Sequence, residues 1–240
     1  MKCVLWGANG AMGKLIDGIL GDEVVGRVSA DGENGVARNA AQLGKVEADV
    51  VIDFSHHTAA ADVIAFAKEH GCAAVIGTTG HTQAEKDLIH AAATEIPVFY
   101  AGNMSLGIAV LCRLAKQAAA AFPEADIEIV EIHHNRKVDA PSGTAKMLFE
   151  AIHEVRPQAV ANCGRAGEGK RTKDEIGISA LRLGGVVGVH EVHIHTNNQS
   201  LTLRHEAIHR SMLAEGAVDA ARFTVGKPAG LYDMETMLKK

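Results

Sequence analysis

Through the first hundred residues, short runs of β-branched and small apolar residues alternate with alanine-rich stretches of helical spacing. The apolar runs fall at 2–6, 24–29, 49–54, 73–76 and 97–100, and the helical stretches at 11–20, 58–70 and 83–94. Strands separated by helices of this length are joined by crossovers, which makes them parallel neighbours in one sheet. Val50-Val51-Ile52 and Ala73-Ala74-Val75-Ile76 are apolar without alternation, as strands buried on both faces are. The expectation is an α/β unit built on a Rossmann-like, doubly wound parallel sheet.

Beyond residue 104 the rhythm changes. A helix is expected over 105–121, a strand over 126–133 with Ile127, Ile129 and Glu131 alternating against charged neighbours, and a helix over 143–155. Residues 160–175 are polar and glycine-rich and read as a loop. Strands follow at 176–182, 186–196 and 200–208, punctuated by Gly184-Gly185 and Asn197-Asn198. In the middle one, Val187, Val189, Glu191, His193 and His195 share a face opposite Val186, Gly188, His190, Val192 and Ile194, the pattern of a sheet with one wetter side. A last helix over 213–225 is expected to return to the first unit. The chain thus reads as one domain of residues 1–104 plus about 213–240, and a C-terminal α+β domain of 105–212 with an open mixed or antiparallel sheet.

Composition narrows the function classes. The chain has 240 residues, 47% of them hydrophobic, which excludes disorder. Its net charge of −5 argues against nucleic-acid binding, which needs surplus cations to displace phosphate counterions. No apolar run reaches the roughly 18 residues of a membrane span, and the apolar stretch after Met1 is too short for a signal peptide. Cys3, Cys72, Cys112 and Cys163 lie far apart with no CxxC pair, which fits reduced thiols and a cytoplasmic protein. His190, His193, His195, His205 and His209 cluster late in the chain, yet no carboxylate or cysteine spacing completes a metal motif, and no metal is expected.

Two stretches carry chemistry. Gly7-Ala8-Asn9-Gly10-Ala11-Met12-Gly13 lies between the first strand and the first helix. Glycines there let the backbone turn sharply, and the helix amides can meet a pyrophosphate; the alternative is an ordinary strand-to-helix turn. The second strand runs on through Arg27, Val28 and Ser29 to Asp31. Ser29 holds the place of an acid that would grip the ribose, and Arg27 can meet a 2′-phosphate, so NADPH and NADH both stay open. Gly77-Thr78-Thr79-Gly80 and Ala101-Gly102-Asn103-Met104-Ser105 follow two further strands and fall on the side of the sheet that lines a ligand crevice.

The second stretch is Glu131-Ile132-His133-His134-Asn135-Arg136-Lys137-Val138-Asp139-Ala140-Pro141-Ser142-Gly143-Thr144. In an acidic chain, two histidines, an arginine and a lysine within five residues make a local positive field suited to a small anion. The helix opening at Gly143 and Thr144 offers free amides as a second anion cradle, so a dicarboxylate fits. Imidazole can donate a proton at neutral pH, and a lysine ammonium can stabilise developing negative charge. A solvated basic loop with a helix cap is the bland alternative.

These motifs, GANGAMG, GTTG, AGNMS and HHNRKVDAPSGTA, resemble in order those of the 4-hydroxy-tetrahydrodipicolinate (dihydrodipicolinate) reductase family of lysine and diaminopimelate biosynthesis. The resemblance implies a dinucleotide-binding first domain, a substrate-binding second domain whose open sheet builds a homotetramer, and reduction by NADPH or NADH. It implies that Gly7, Ala8, Asn9, Gly10, Ala11 and Met12 hold the pyrophosphate, with Ser29 at the ribose. Gly77, Thr78, Thr79, Ala101, Gly102, Asn103 and Met104 border the nicotinamide. His133 is the implied proton donor, Lys137 its catalytic partner, and His134, Gly143 and Thr144 the ligands of the substrate carboxylates. Two rivals stay open: another NAD(P)-dependent oxidoreductase of a small dicarboxylate on the same fold, and a dinucleotide sensor without turnover.

Overall fold

The structure is a computed structural model that describes residues 1–239. Along the chain run β1 (Cys3–Trp6), α1 (Ala11–Leu20), β2 (Val24–Val28), α2 (Ala40–Leu43), β3 (Val50–Asp53), α3 (Ala60–His70), β4 (Ala73–Ile76), α4 (Gln83–Ala92) and β5 (Pro97–Tyr100). Then come α5 (Leu106–Ala121), β6 (Asp126–His133), α6 (Gly143–His153), β7 (Val160–Asn162), β8 (Glu175–Arg182), β9 (Gly188–His195) and β10 (Ser200–Ala207). The chain closes with α7 (Ser211–Thr224), β11 (Gly230–Tyr232) and α8 (Met234–Met237). It divides into two compact units, Met1–Ser105 with Ser211–Lys240, and Leu106–Arg210.

The first unit is a six-stranded sheet in the order β11-β5-β4-β3-β1-β2, with every pairing parallel. Strands β1, β3 and β4 are buried along their whole length, which accounts for their unbroken apolar character. Helix α7 packs against α1 and β4, and β11 extends the sheet beyond β5. That three-residue strand is too short to show a period in the sequence.

The turn from β1 into α1 is set by close packing. Gly7 has φ +85°, and a Cβ on it would lie 2.3 Å from the Phe54 carbonyl oxygen. A Cβ on Gly13 would lie 2.1 Å from the Gly7 carbonyl oxygen. We expect Gly13→Ala to cost roughly 1–3 kcal/mol by overpacking, lowering Tm by about 2–12 °C. Gly18→Ala in the same helix, whose Cβ would meet nothing within 4 Å, should hold or raise Tm in the same thermal melts.

The second unit is a five-stranded mixed sheet in the order β10-β9-β6-β8-β7. β9 runs antiparallel to both β6 and β10, whereas β8 is parallel to β6 and to β7. Of the two arrangements expected, mixed or antiparallel, the sheet is the mixed one, and β7 lies inside the stretch read as a loop. Helices α5 and α6 share one apolar core with Ile127, Ile129, Ile176, Ile178, Val192 and Ile194 from one face of the sheet. No helix of this unit packs on the opposite face, where Glu191 and His193 alternate with buried Val192 and Ile194 and where Arg165 and Arg171 reach Glu128. This is the two-sided pattern read from the sequence.

Candidate active site

Alternation along β6 sends Ile127, Ile129, Glu131 and His133 to the buried side. The first two feed the apolar core; the next two place a carboxylate and an imidazole where that core ends. Glu131 is fully buried, so its charge must be met by partners. Arg182, at the end of the parallel neighbour β8, grips it as a fork, Nη1 to Oε2 at 2.9 Å and Nη2 to Oε1 at 3.0 Å. The Ser142 amide donates to Oε1 at 3.1 Å, and His133 Nδ1 lies 2.5 Å from Oε2. Burial pushes the Glu131 carboxyl up, but Arg182, His133 and the Ser142 amide outweigh it and hold it below the ordinary range.

The Glu131 bond fixes the His133 ring through Nδ1 and leaves Nε2 pointing away from it. On that side lies Gly188, where a Cβ would come within 3.2 Å of Nε2. His190 stands edge-on to His133 at 5.1 Å between ring centres, with Nε2 3.2 Å from Ser142 Oγ. Burial, with His133 nearby, brings His190 down to about 4, so it is neutral when the site works near pH 7. Ser142 also caps α6, its Oγ accepting from the Ala145 amide at 3.2 Å. One residue thus ties the acid pair to the helix whose first amides belong to Gly143 and Thr144.

The basic loop follows directly. His134 Nε2 meets Arg210 Nη2 at 3.1 Å, and burial together with Arg136 and Arg210 lowers its pKa. Lys137 Nζ rests 2.7 Å from Asp139 Oδ1, a contact that holds the Asp139 carboxyl below its usual range. His133, His134, Lys137, Gly143 and Thr144 therefore all lie in one unit, on the end of β6, the loop after it and the start of α6. Glu131, Arg182, Ser142 and His190 join them, although no sequence pattern assigned them a role there.

In the first unit, the amides of Gly7 and Ala8 donate to the Val28 carbonyl at 2.8 and 3.1 Å, and Gly10 donates to Gly7 at 3.0 Å. These bonds shape the turn. The amides left to meet an anion are then those of the first turn of α1, from Ala11 and Met12 onward. No side chain caps that helix and no acid stands in its first turn, so the arrangement fits a bound pyrophosphate. Asn9 does not reach outward: its Nδ2 donates to Asp31 at 2.6 Å. Arg27, which by position could meet a 2′-phosphate, is instead paired with Asp17 of α1, with contacts down to 2.6 Å.

Ser29 lines a pocket of about 240 Å³ with Trp6, Arg38, Ser55, His56 and Asp62. Trp6, whose bulk before the glycine turn is unexpected, forms part of this wall and packs edge-on against Phe66 at 5.8 Å. At the next strand ends, the Phe54 ring packs on Gly77, where a Cβ would lie 2.3 Å from it and would make the ring move. Thr78 is buried and its Oγ1 accepts from the Ser55 amide at 2.9 Å. Beside it, burial raises the Asp53 carboxyl, whose Oδ2 has no partner. Thr79 and Gly102 are exposed and Ala101 half-buried. Asn103 Oδ1 accepts from the Ser105 amide at 2.9 Å, whereas Met104 is buried against Gly216 of α7. Of the other histidines, His57 binds Glu85 at 2.9 Å and His193 binds Glu191 at 3.0 Å.

Comparison with known proteins gives this geometry a family. The family model described as dihydrodipicolinate reductase, N-terminus, matches residues 1–104, and that of the C-terminus matches residues 107–238. The 4-hydroxy-tetrahydrodipicolinate reductase of Alkaliphilus metalliredigens (strain QYMF) is 42% identical over 243 residues, covering 99% of each chain. That of Caulobacter vibrioides (strain ATCC 19089 / CIP 103742 / CB 15) is 42% identical over 252 residues, covering 99% of this chain and 97% of its own. Among solved structures, dipicolinate-bound dihydrodipicolinate reductase from Paenisporosarcina sp. TG-14 matches with a TM-score of 0.81 at 25% identity, over 97% of each chain. The chain belongs to the dihydrodipicolinate reductase family.

Proposed function

We propose that the chain reduces 4-hydroxy-tetrahydrodipicolinate, whose 4-hydroxyl leaves as water to give the conjugated dihydrodipicolinate, to tetrahydrodipicolinate at the expense of NADPH or NADH, with His133 as the proton donor. The observation that carries this reading is the His133 imidazole held through Nδ1 by buried Glu131, at the head of a basic loop in an acidic chain. When bound, the reduced nicotinamide supplies a hydride to the conjugated carbon–nitrogen system of the substrate. The first unit is the dinucleotide-binding domain: the α1 amides hold the pyrophosphate, Ser29 lies at the ribose, and the loops 77–79 and 101–104 border the ring. The second is the substrate domain, in which His134 and the amides of Gly143 and Thr144 bind the two carboxylates. His133 delivers its Nε2 proton to the electron-rich product side of the reaction, and Glu131 stabilises the imidazolium before transfer. Lys137, moving from Asp139 to the substrate, neutralises developing negative charge.

The direct test mixes the protein with freshly generated substrate and follows oxidation of NADPH and NADH. Turnover that requires this substrate supports the reading. Cofactor binding without turnover would mark a sensor, and turnover of a different dicarboxylate alone would mark another oxidoreductase. Lys137→Ala should lower kcat/KM about a hundredfold through both kcat and KM, whereas a native KM in steady-state assays would remove Lys137 from substrate binding.

The open face of the second sheet also supports assembly into a homotetramer, which light scattering would register as four chain masses. All four cysteines are free, which fits a reducing cytoplasm. No helix among the described residues is long and apolar enough to cross a membrane.

A further inference from the structure

We propose that Arg38 is the residue by which this chain selects NADPH, receiving the 2′-phosphate of the adenosine ribose in the pocket walled by Trp6 and Ser29. The proposal rests on the reading of the first unit as dinucleotide-binding, and goes beyond it to the choice between the two cofactors.

The groups that would ordinarily decide the matter are taken or missing. No acid stands at the end of β2, because Ser29 occupies that place. Asp31 is turned aside: its Oδ1 accepts from Asn9 Nδ2 at 2.6 Å and from the Glu33 amide at 3.2 Å. Arg27 belongs to Asp17. Arg38 reaches the same place by a different route. Ala37 bridges Val28 as a parallel neighbour, with the Ser29 amide donating to the Ala37 carbonyl at 2.8 Å and the Ala37 amide to the Arg27 carbonyl at 3.1 Å. That pairing carries the following residue, Arg38, past the end of β2 and into the pocket lining.

The side chain is seated for the task. Its stem lies over Gly32, where a Cβ would come within 2.7 Å of Arg38 Cγ and 2.6 Å of Nε. Its amide is held by Gln42 Oε1 at 2.7 Å. Among the described residues its guanidinium makes no ion pair, not even with Asp62 in the same lining. A guanidinium with its fork unspent matches a phosphate dianion in charge and geometry. The serine beside it, whose hydroxyl hydrogen-bonds the Asp31 carboxylate, puts a neutral group where a carboxylate would repel that dianion.

Adenosine 2′,5′-bisphosphate and adenosine 5′-monophosphate separate this contact from the rest of the cofactor. Trp6 is the chain's single tryptophan, so its emission reports this pocket alone. In calorimetric titrations we expect the native protein to bind the bisphosphate roughly ten- to a hundredfold more tightly than the monophosphate. Trp6 emission should change with both ligands. Arg38→Ala should erase the difference and leave the monophosphate affinity within about twofold, and Ser29→Asp should weaken the bisphosphate selectively. Equal affinities in the native protein, a preference that survives Arg38→Ala, or calorimetric binding without any change in Trp6 emission would each overturn the assignment. If intact NADPH and NADH both fail to bind, the dinucleotide reading itself falls, and this proposal with it.

Discussion

Replacing His133 by glutamine should lower kcat by roughly a hundred- to ten-thousandfold, the usual contribution of a positioned general acid, while KM changes only a few-fold. Glutamine preserves much of the polar reach of the ring, and its amide can still meet Glu131. It has no proton to give at neutral pH. The reaction then has to draw its proton from water, and the loss falls on the transition state rather than on the bound substrate. Steady-state kinetics with saturating cofactor check this, and a rate near native would remove His133 from the chemistry.

Glu131→Gln should be nearly as damaging, for a different reason. The side chain keeps its shape, but the charge that Arg182 and His133 both address is gone. Arg182 is then left facing an amide at one or both arms of its fork, and breaking a buried pair costs about 3 kcal/mol or more. For a chain of this length that corresponds to a fall in Tm of roughly 6–12 °C. Turnover should drop at least about tenfold even at temperatures where the variant is folded, because the imidazole loses the group that fixes its ring and stabilises its charged form. A purely structural glutamate would move Tm and leave kcat per folded molecule alone. The pH sense follows from the low carboxyl pKa. The stabilisation by Glu131 is complete above the ordinary carboxylate value of 4.5 and is lost as pH falls through the lower folded value. Glu131→Gln should therefore flatten the acid limb of stability.

Much of this was readable from the sequence, and the misses have physical causes. The runs at 73–76 and 97–100 coincide with β4 and β5 because each is an apolar stretch closed by turn residues. The paired His133 and His134 stood out by local charge alone. Glu131 did not, since its alternation with Ile127 and Ile129 marks a buried position without saying what meets the charge. Its partner Arg182 is 51 residues away and arrives through a parallel strand pairing that leaves no local trace. Arg27 is a similar case: its position in the strand leaves a phosphate open to it, but Asp17 on the preceding helix takes it. Arg38 went unseen because a backbone bridge to residue 28, not any periodicity, brings it to the pocket. The short strands β7 and β11, three residues each, fall below the length at which alternation can be seen.

The claim on which the mechanism turns is that Glu131 acts only through His133, so that the two form one proton-donating unit. A double-variant cycle on kcat measures this directly, with Glu131→Gln, His133→Gln and the pair combined, each corrected for the folded fraction. The predicted result is that the combined variant turns over no more slowly than His133→Gln alone. Independent losses, in which the two fold-reductions multiply, would contradict it.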